Sequence, residues 1–461
     1  MSSYPLIIQG GMGIAVSNYH LAKAVSMAGQ LGVVSGTAID AVMAMRLHYG
    51  DILGNVRRSL HNFPVKEIGQ QMIDKFYNAN NKIKQMFKFT MPSLNMSHEK
   101  ENEIVTANFS EVFLAKEGHK GIVGINFLEK IQFPNLAGIY GALLAGIDYI
   151  IMGAGIPKEI PAVIEKLMHH EKVEYTCNVE NAKEPRKMMF DPSRFGLSHL
   201  KLKRPKFLAI ISSNILAVTL MKKSSVAPDG FIIEGHQAGG HNAPPRVSGV
   251  FNEKGEPVYG EKDVVDLEKL KELNVPFWLA GSYGTKEGLE KALAAGAAGI
   301  QAGTVFAFTK EAGFTDDIKQ KVISSESVNI KTDPYASPTG FPFKVADVAG
   351  TLSDEELYNN RQRVCNLGYL RSAYEKEDGT IGYRCAAEPV EMYVKKGGKE
   401  ENTKGRKCLC NALMSAAGYP LIGKSGEEEK PLVTMGDDYK SVITRPYGYT
   451  AQEVINEIIG R

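Results

Sequence analysis

The densest group of reactive side chains is the run EGHQAGGHNAPPR, Glu234 to Arg246. His241 follows the pair Gly239 and Gly240, so its imidazole would project beside whatever the glycines cradle. There it could act as a donor to a substrate oxygen or as a proton carrier near neutral pH. His236 in the same run reads as a loop histidine that hydrogen-bonds locally. A second group is Cys365, Cys385, Cys408 and Cys410, four of the five cysteines of the chain. Four thiolates can close a tetrahedral zinc site or hold an iron–sulfur cluster, although these spacings match no standard ribbon or ferredoxin run. Buried thiols without a role are the alternative, and the Cys-x-Cys pair is the stronger hint of metal.

Short apolar runs of strand length recur along the first three quarters of the chain, each followed by glycine or a small polar residue and then by helical periodicity. They are Leu6 to Gln9, Leu31 to Val34, Val123 to Asn126, Tyr149 to Met152, Phe207 to Ile211, Gly230 to Ile233, Phe277 to Ala280 and Gly299 to Ala302. Eight such units predict an α/β fold, a closed parallel (β/α)8 TIM barrel, with an open doubly wound sheet as the runner-up. The rhythm breaks at 40–110, which reads as a helical insertion or lid, and again after about 335. The organisation expected is a barrel of 1–39 and 111–335 and a cysteine-containing C-terminal extension of 336–461. Lys395 to Gly405 and Gly423 to Lys430 read as solvated loops.

In such a barrel the chemistry sits where strands end. Glycines gather there: Gly10, Gly11 and Gly13, then Gly153 and Gly155, Gly239 and Gly240, Gly281, and Gly303. Each lets a flat or anionic ligand approach the backbone, and turn chemistry alone is the competing explanation for any one of them. Two motifs fail on context. QGGMGIAV lacks the third glycine of a dinucleotide fingerprint, and the second apolar run ends at Val34 and Ser35 without a carboxylate for a ribose. GYPLIGKS, Gly418 to Ser425, satisfies the phosphate-loop pattern but follows a helical run and contains Pro420.

The 461 residues are 43% hydrophobic and 23% charged, which excludes disordered and fibrous classes. A net charge of +2 gives no reason to expect nucleic acid as a partner. Leu136 to Ile156 contains Asp148 and divides into a helix and a strand, so no membrane span is expected. With no basic-then-apolar leader at the N-terminus and few cysteines, the protein is expected to be cytoplasmic. A homo-oligomer is compatible with the sequence.

The segments PLIIQGGMG, MGAGIP, EGHQAGGH, LAGSYG and QAGTVF, taken in order over Pro5 to Ala312, resemble the nitronate monooxygenase (2-nitropropane dioxygenase) family, which includes flavin-type enoyl-acyl-carrier-protein reductases. The resemblance implies FMN. By position, Gly10, Gly11 and Met12 would pack on the isoalloxazine, Asn126 and Gly153 would approach it, and Gln301 would lie near the ring. Gly239, Gly240, Gly281, Ser282, Gly303 and Thr304 would bind the ribityl phosphate, and His241 would match the active-site histidine. Gln237 departs from the acidic residue usual there. SPTGFPFKV, Ser337 to Val345, followed by the cysteine-containing tail resembles a branch, dehydrogenase/isomerases of unsaturated fatty-acid synthesis, that carries an iron–sulfur cluster beside FMN. The activity implied is oxidation of alkyl nitronates with O₂. The alternative is reduction or dehydrogenation-isomerisation of enoyl or acyl thioesters, with acyl-carrier protein as a partner, and a third reading is a non-catalytic flavin-binding module.

Overall fold

The computed structural model describes residues 4–80, 88–423 and 426–461. Residues 81–87 of the expected lid, and Lys424 and Ser425 of the phosphate-loop look-alike, lie outside the described residues.

All eight apolar runs are strands of one parallel sheet: β1 (Ile7–Gln9), β2 (Gly32–Ser35), β3 (Val123–Leu128), β4 (Tyr149–Gly153), β5 (Lys206–Ile211), β6 (Gly230–Glu234), β7 (Phe277–Ala280) and β8 (Gly299–Ala302). β1 pairs with β8 through Ile7↔Ile300, Ile8↔Gln301 and Gln9↔Ala302. On its other side, Gln9 N donates to Leu31 O at 3.0 Å and Leu31 N donates to Ile7 O at 3.1 Å. The sheet therefore closes, and the open-sheet alternative is set aside. Ile8, Val33, Ile151, Leu208, Ile232 and Trp278 fill the lumen, while Ile7, Val34, Ile125, Ile150, Phe207 and Phe231 face the helices. Burial on both faces is why the runs are continuously apolar rather than alternating.

Seven helices follow their strands around the ring: α1 (Tyr19–Met27), α2 (His98–Lys116), α3 (Asn135–Leu144), α4 (Ile160–Met168), α5 (Asn214–Lys223), α6 (Leu267–Lys271) and α7 (Lys286–Ala294). The eighth, α8 (Ala451–Ile459), comes from the far end of the extension and packs against α1 and α7. Its buried residues Ala451, Val454, Ile455 and Ile458 make one helical stripe, and Thr450 and Glu453 form a capping box at its start.

Two expected boundaries thus move. α2 runs across the expected resumption of the barrel at 111 and packs between α1 and α3, and the extension contains a barrel helix. The helices Ile39–His48, Asn55–His61 and Lys66–Phe76 share an apolar cluster with Leu367, Tyr369, Met414 and Leu421 of the extension. Insertion and extension together form one layer over the C-terminal ends of the strands. Residues 418–423 follow the helix Leu409–Ala416 rather than a strand, as the phosphate-loop pattern would require. Among the described residues no helix is long and apolar enough to cross a membrane.

Candidate active site

The loop after β1 is shaped by hydroxyl groups. Ser17 Oγ accepts from Met12 N at 2.9 Å and from Gln9 Nε2 at 2.9 Å, and donates to Gly10 O at 3.0 Å. Ser35 Oγ donates to Gly13 O at 2.7 Å, and Gly13 has φ of +54°. A Cβ on Gly11 would come within 2.4 Å of Asn126 Cβ, and one on Gly10 within 3.2 Å of the Gln301 side chain. The loop therefore lies flat between β3 and β8. Gly10, Gly11, Met12, Asn126, Gly153 and Gln301 line one cavity, as expected of the ring-binding group. Gln301 Oε1 is buried without a hydrogen-bond partner among the described residues, an acceptor suited to a ring N–H.

The six residues expected at the phosphate end, Gly239, Gly240, Gly281, Ser282, Gly303 and Thr304, line the same cavity. Gly281 and Ser282 are consecutive left-handed residues, with φ of +90° and +61°. The glycine pair answers a second demand that sequence reasoning missed. A Cβ on Gly239 would stand 2.8 Å from the carbonyl carbon of Met435, and Gly240 N already donates to Thr434 Oγ1 at 2.7 Å. Gly436 N donates to Thr304 Oγ1 at 2.9 Å, and Asp438 lines the cavity nearby, its carboxyl raised by burial despite the Thr304 hydroxyl. The stretch from Thr434 to Asp438 thus lies along Gly239, Gly240 and Thr304.

His241 reaches the same cavity. Its Nε2 is 2.7 Å from Ser337 Oγ, which in turn lies 2.8 Å from Thr339 Oγ1. Phe343 meets the imidazole edge-on, with ring centroids 4.9 Å apart. Burial, reinforced by the Lys130 charge, holds the imidazole well below the ordinary histidine range, so the ring is neutral at physiological pH. His236 points elsewhere. It stacks on Tyr259 at 4.4 Å and lines a second, adjoining cavity.

Two ionisable residues near the histidine escaped the sequence reading. Glu234, the last residue of β6, is pushed up to about 7 by burial, with Lys130 opposing. Lys130 is pushed down to about 7 by burial, with Glu234 and Glu129 opposing. Glu234 could have been found as the first residue of the glycine–histidine run. Lys130 carries no motif.

The extension supplies much of the apolar wall. Tyr369, Leu370, Leu409 and Leu413 join Ile14, Leu128, Ile131 and Ile210 around the cavity. Tyr369 is tied down by a hydrogen bond from its hydroxyl to Asp40.

The four cysteines offered as metal ligands, Cys365, Cys385, Cys408 and Cys410, are free thiols. Among the described residues no three His, Cys, Asp or Glu residues are grouped so as to hold a metal ion. Cys408 caps the helix Leu409–Ala416 and Cys410 lies in its first turn. Cys410 borders the cavity, while Cys385 and Cys408 pack in the apolar cluster of the covering layer. Burial raises all four thiols, and neighbouring thiols push Cys385, Cys408 and Cys410 the same way. Cys177, given no role, is buried in a strand.

Kinship can now be set beside this geometry. Residues 159–338 match the nitronate monooxygenase family model. That is a family of flavin-dependent oxidoreductases, and the matched stretch, under half of the chain, carries His241, Ser337 and the phosphate-end glycines. No curated protein matches the sequence. Three solved structures are similar in fold. FabK from Thermotoga maritima is 15% identical, with 99% of this chain and 92% of that chain covered and a TM-score of 0.49. Nitroalkane oxidase from Streptomyces ansochromogenes is 15% identical, with 99% and 96% covered and a TM-score of 0.48. The enoyl reductase domain of MlnA from Bacillus amyloliquefaciens is 12% identical, with 99% and 95% covered and a TM-score of 0.49.

Proposed function

We propose that this protein is an FMN-dependent oxidoreductase of acyl or enoyl thioesters, with the acyl chain lying between the barrel rim and the covering layer. One observation carries the reading: the neutral His241, held by Ser337, shares a cavity with the flavin-loop residues and with an apolar wall of Leu370, Leu409 and Leu413.

FMN, when bound, supplies hydride chemistry. Gly10, Gly11, Met12, Asn126, Gly153 and Gln301 would hold the ring, and Gly281, Ser282, Gly303 and Thr304, beside Gly239 and Gly240, would hold the phosphate end. The buried acceptor of Gln301 and the close-set glycines fit such a group. His241 would hydrogen-bond the thioester carbonyl oxygen through the ring nitrogen that Ser337 does not engage. That bond strengthens as negative charge grows on the oxygen, which is where a preorganised donor contributes most. The leucines exclude water and align the chain. An acyl-carrier protein is the natural carrier of such a substrate.

Oxidation of alkyl nitronates with O₂ is the second reading, favoured by the family match. A nitronate arrives as an anion and needs charge stabilisation but no proton transfer, which leaves Glu234 and Lys130 without a task.

The two readings separate in one experiment. FMN-loaded protein is mixed anaerobically with acyl and enoyl thioesters, and in air with alkyl nitronates, while flavin absorbance and O₂ are followed. Flavin reduction by an acyl thioester, or reoxidation of reduced flavin by an enoyl thioester, is expected. Turnover of nitronates alone overturns the thioester reading.

A further inference from the structure

Glu234 stands on the wall between two cavities. It lines the flavin-side cavity, and it also lines the adjoining one together with His236, Arg246, Tyr259 and Asp263. His241 borders both as well. Behind them lies Lys130, whose Nζ is buried without a hydrogen-bond partner among the described residues and sits 4.3 Å from the ring centre of Phe341. A buried ammonium without a partner is costly, and such groups persist where a proton comes and goes. The other carboxylate that Lys130 feels, Glu129, is committed elsewhere, accepting from Gln132 Nε2 at 2.8 Å and from the Tyr175 hydroxyl at 2.7 Å.

We infer that Glu234, on the wall shared by the two cavities, is the group that moves protons between the substrate over the flavin and the adjoining cavity. The inference rests on the thioester reading for its substrate. Desaturating an acyl chain removes two hydrogens. The one that leaves with its electron pair belongs to the flavin; the other leaves Cα as a proton, and its C–H electrons become the new C=C bond. The Glu234 carboxylate takes that proton and, as the acid, returns it to water in the adjoining cavity. Reduction of an enoyl thioester runs the same path backwards.

His241 is poorly suited to this task, because its neutral ring is a weak base and its Nε2 is bound to Ser337. Glu234 instead has an acidity matched to neutral pH, where a general base works best. The groups that surround Glu234 are Lys130 and His241, and His236, Arg246, Tyr259 and Asp263 across the adjoining cavity.

The test uses FMN-loaded full-length protein with Glu234→Gln and Glu234→Asp. Wild type should show an ionisation near 7 in kcat/KM for the thioester. Glu234→Gln should lower kcat by about 10²–10⁴-fold, abolish that ionisation and leave KM within a few-fold, and Glu234→Asp should restore the ionisation and part of the rate. Lys130→Met should move the ionisation to higher pH. A second readout needs no substrate: infrared titration should find a protonated carboxyl band that fades as pH rises through about 7 and is missing in Glu234→Gln. Full rate and an unchanged profile in Glu234→Gln, or absence of the band in wild type, overturns the role of Glu234. The band without thioester turnover overturns the substrate reading and leaves the protonated Glu234 standing.

Discussion

Ser337 Oγ stands 2.7 Å from His241 Nε2, across 96 positions of sequence. The serine is itself fixed, since Thr339 Oγ1 is 2.8 Å from its hydroxyl and Arg406 donates to its carbonyl at 2.6 Å. The orientation of the imidazole therefore depends on a segment beyond the last barrel strand, and two residues of the extension's edge act through one ring.

Removing that tether should cost rate and spare the cofactor. Ser337→Ala is expected to lower kcat/KM by about 10–100-fold, the effect of losing one well-placed hydrogen bond. His241→Ala should lower it by about 10²–10⁴-fold. Flavin absorbance of both purified variants should match wild type. Undiminished turnover by His241→Ala would favour a flavin-binding module over an enzyme.

Gly239 tests the contact between barrel and extension. In Gly239→Ala the new methyl would meet the Met435 backbone at 2.8 Å, so the Thr434–Asp438 stretch must shift. A loss of about 1–3 kcal/mol is expected in urea denaturation, with lower FMN occupancy after gel filtration. Equal occupancy and stability would show that this stretch does not help close the phosphate end.

Stability should vary with pH in a defined sense. Glu234 rises from its ordinary 4.5 to about 7, so its contribution to folding is full in acid and is lost as pH rises through about 7. Lys130 falls from its ordinary 10.5 to about 7, so its contribution is full in alkali and is lost as pH falls through about 7. Lys130→Met should accordingly stabilise the protein by about 1–4 kcal/mol at pH near 6 and by less near pH 9, the effect vanishing only above the ordinary lysine value of 10.5. Thermal denaturation at the two pH values decides it, and an equal shift at both would refute the assignment.

The last helix should be indispensable to the barrel. Ile455 is 1% exposed, and Ile455→Ala should cost about 2–5 kcal/mol. Deleting 451–461 should yield protein without a cooperative unfolding transition. A truncated chain that still unfolds cooperatively and binds FMN would contradict the placement of α8.

Sequence reasoning located every barrel strand, because burial on both faces leaves short apolar runs such as Tyr149 to Met152 and Phe277 to Ala280. It found the loop residues for the same reason, since glycine at a strand end signals close approach, as Gly11 and Asn126 demonstrate. It misread α2 as part of a polar insertion because that helix buries charges that are paired in space: Lys100 with Asp40, Glu111 with Arg46, Glu101 with Arg194. None of these partners is adjacent in the chain except through the fold. Lys130 and the bond between Ser337 and His241 escaped for a related reason, being placed by tertiary contacts alone.

The position of α8 also sets a timetable for biosynthesis. A ribosome that has released β8 has made a ring with one gap in its helical coat, and the helix that fills it emerges only after residues 303–450. Until then the apolar flanks of α1 and α7 stay open to water, a hazard that chaperones exist to manage. The barrel and its covering layer are thus locked together by one segment of chain.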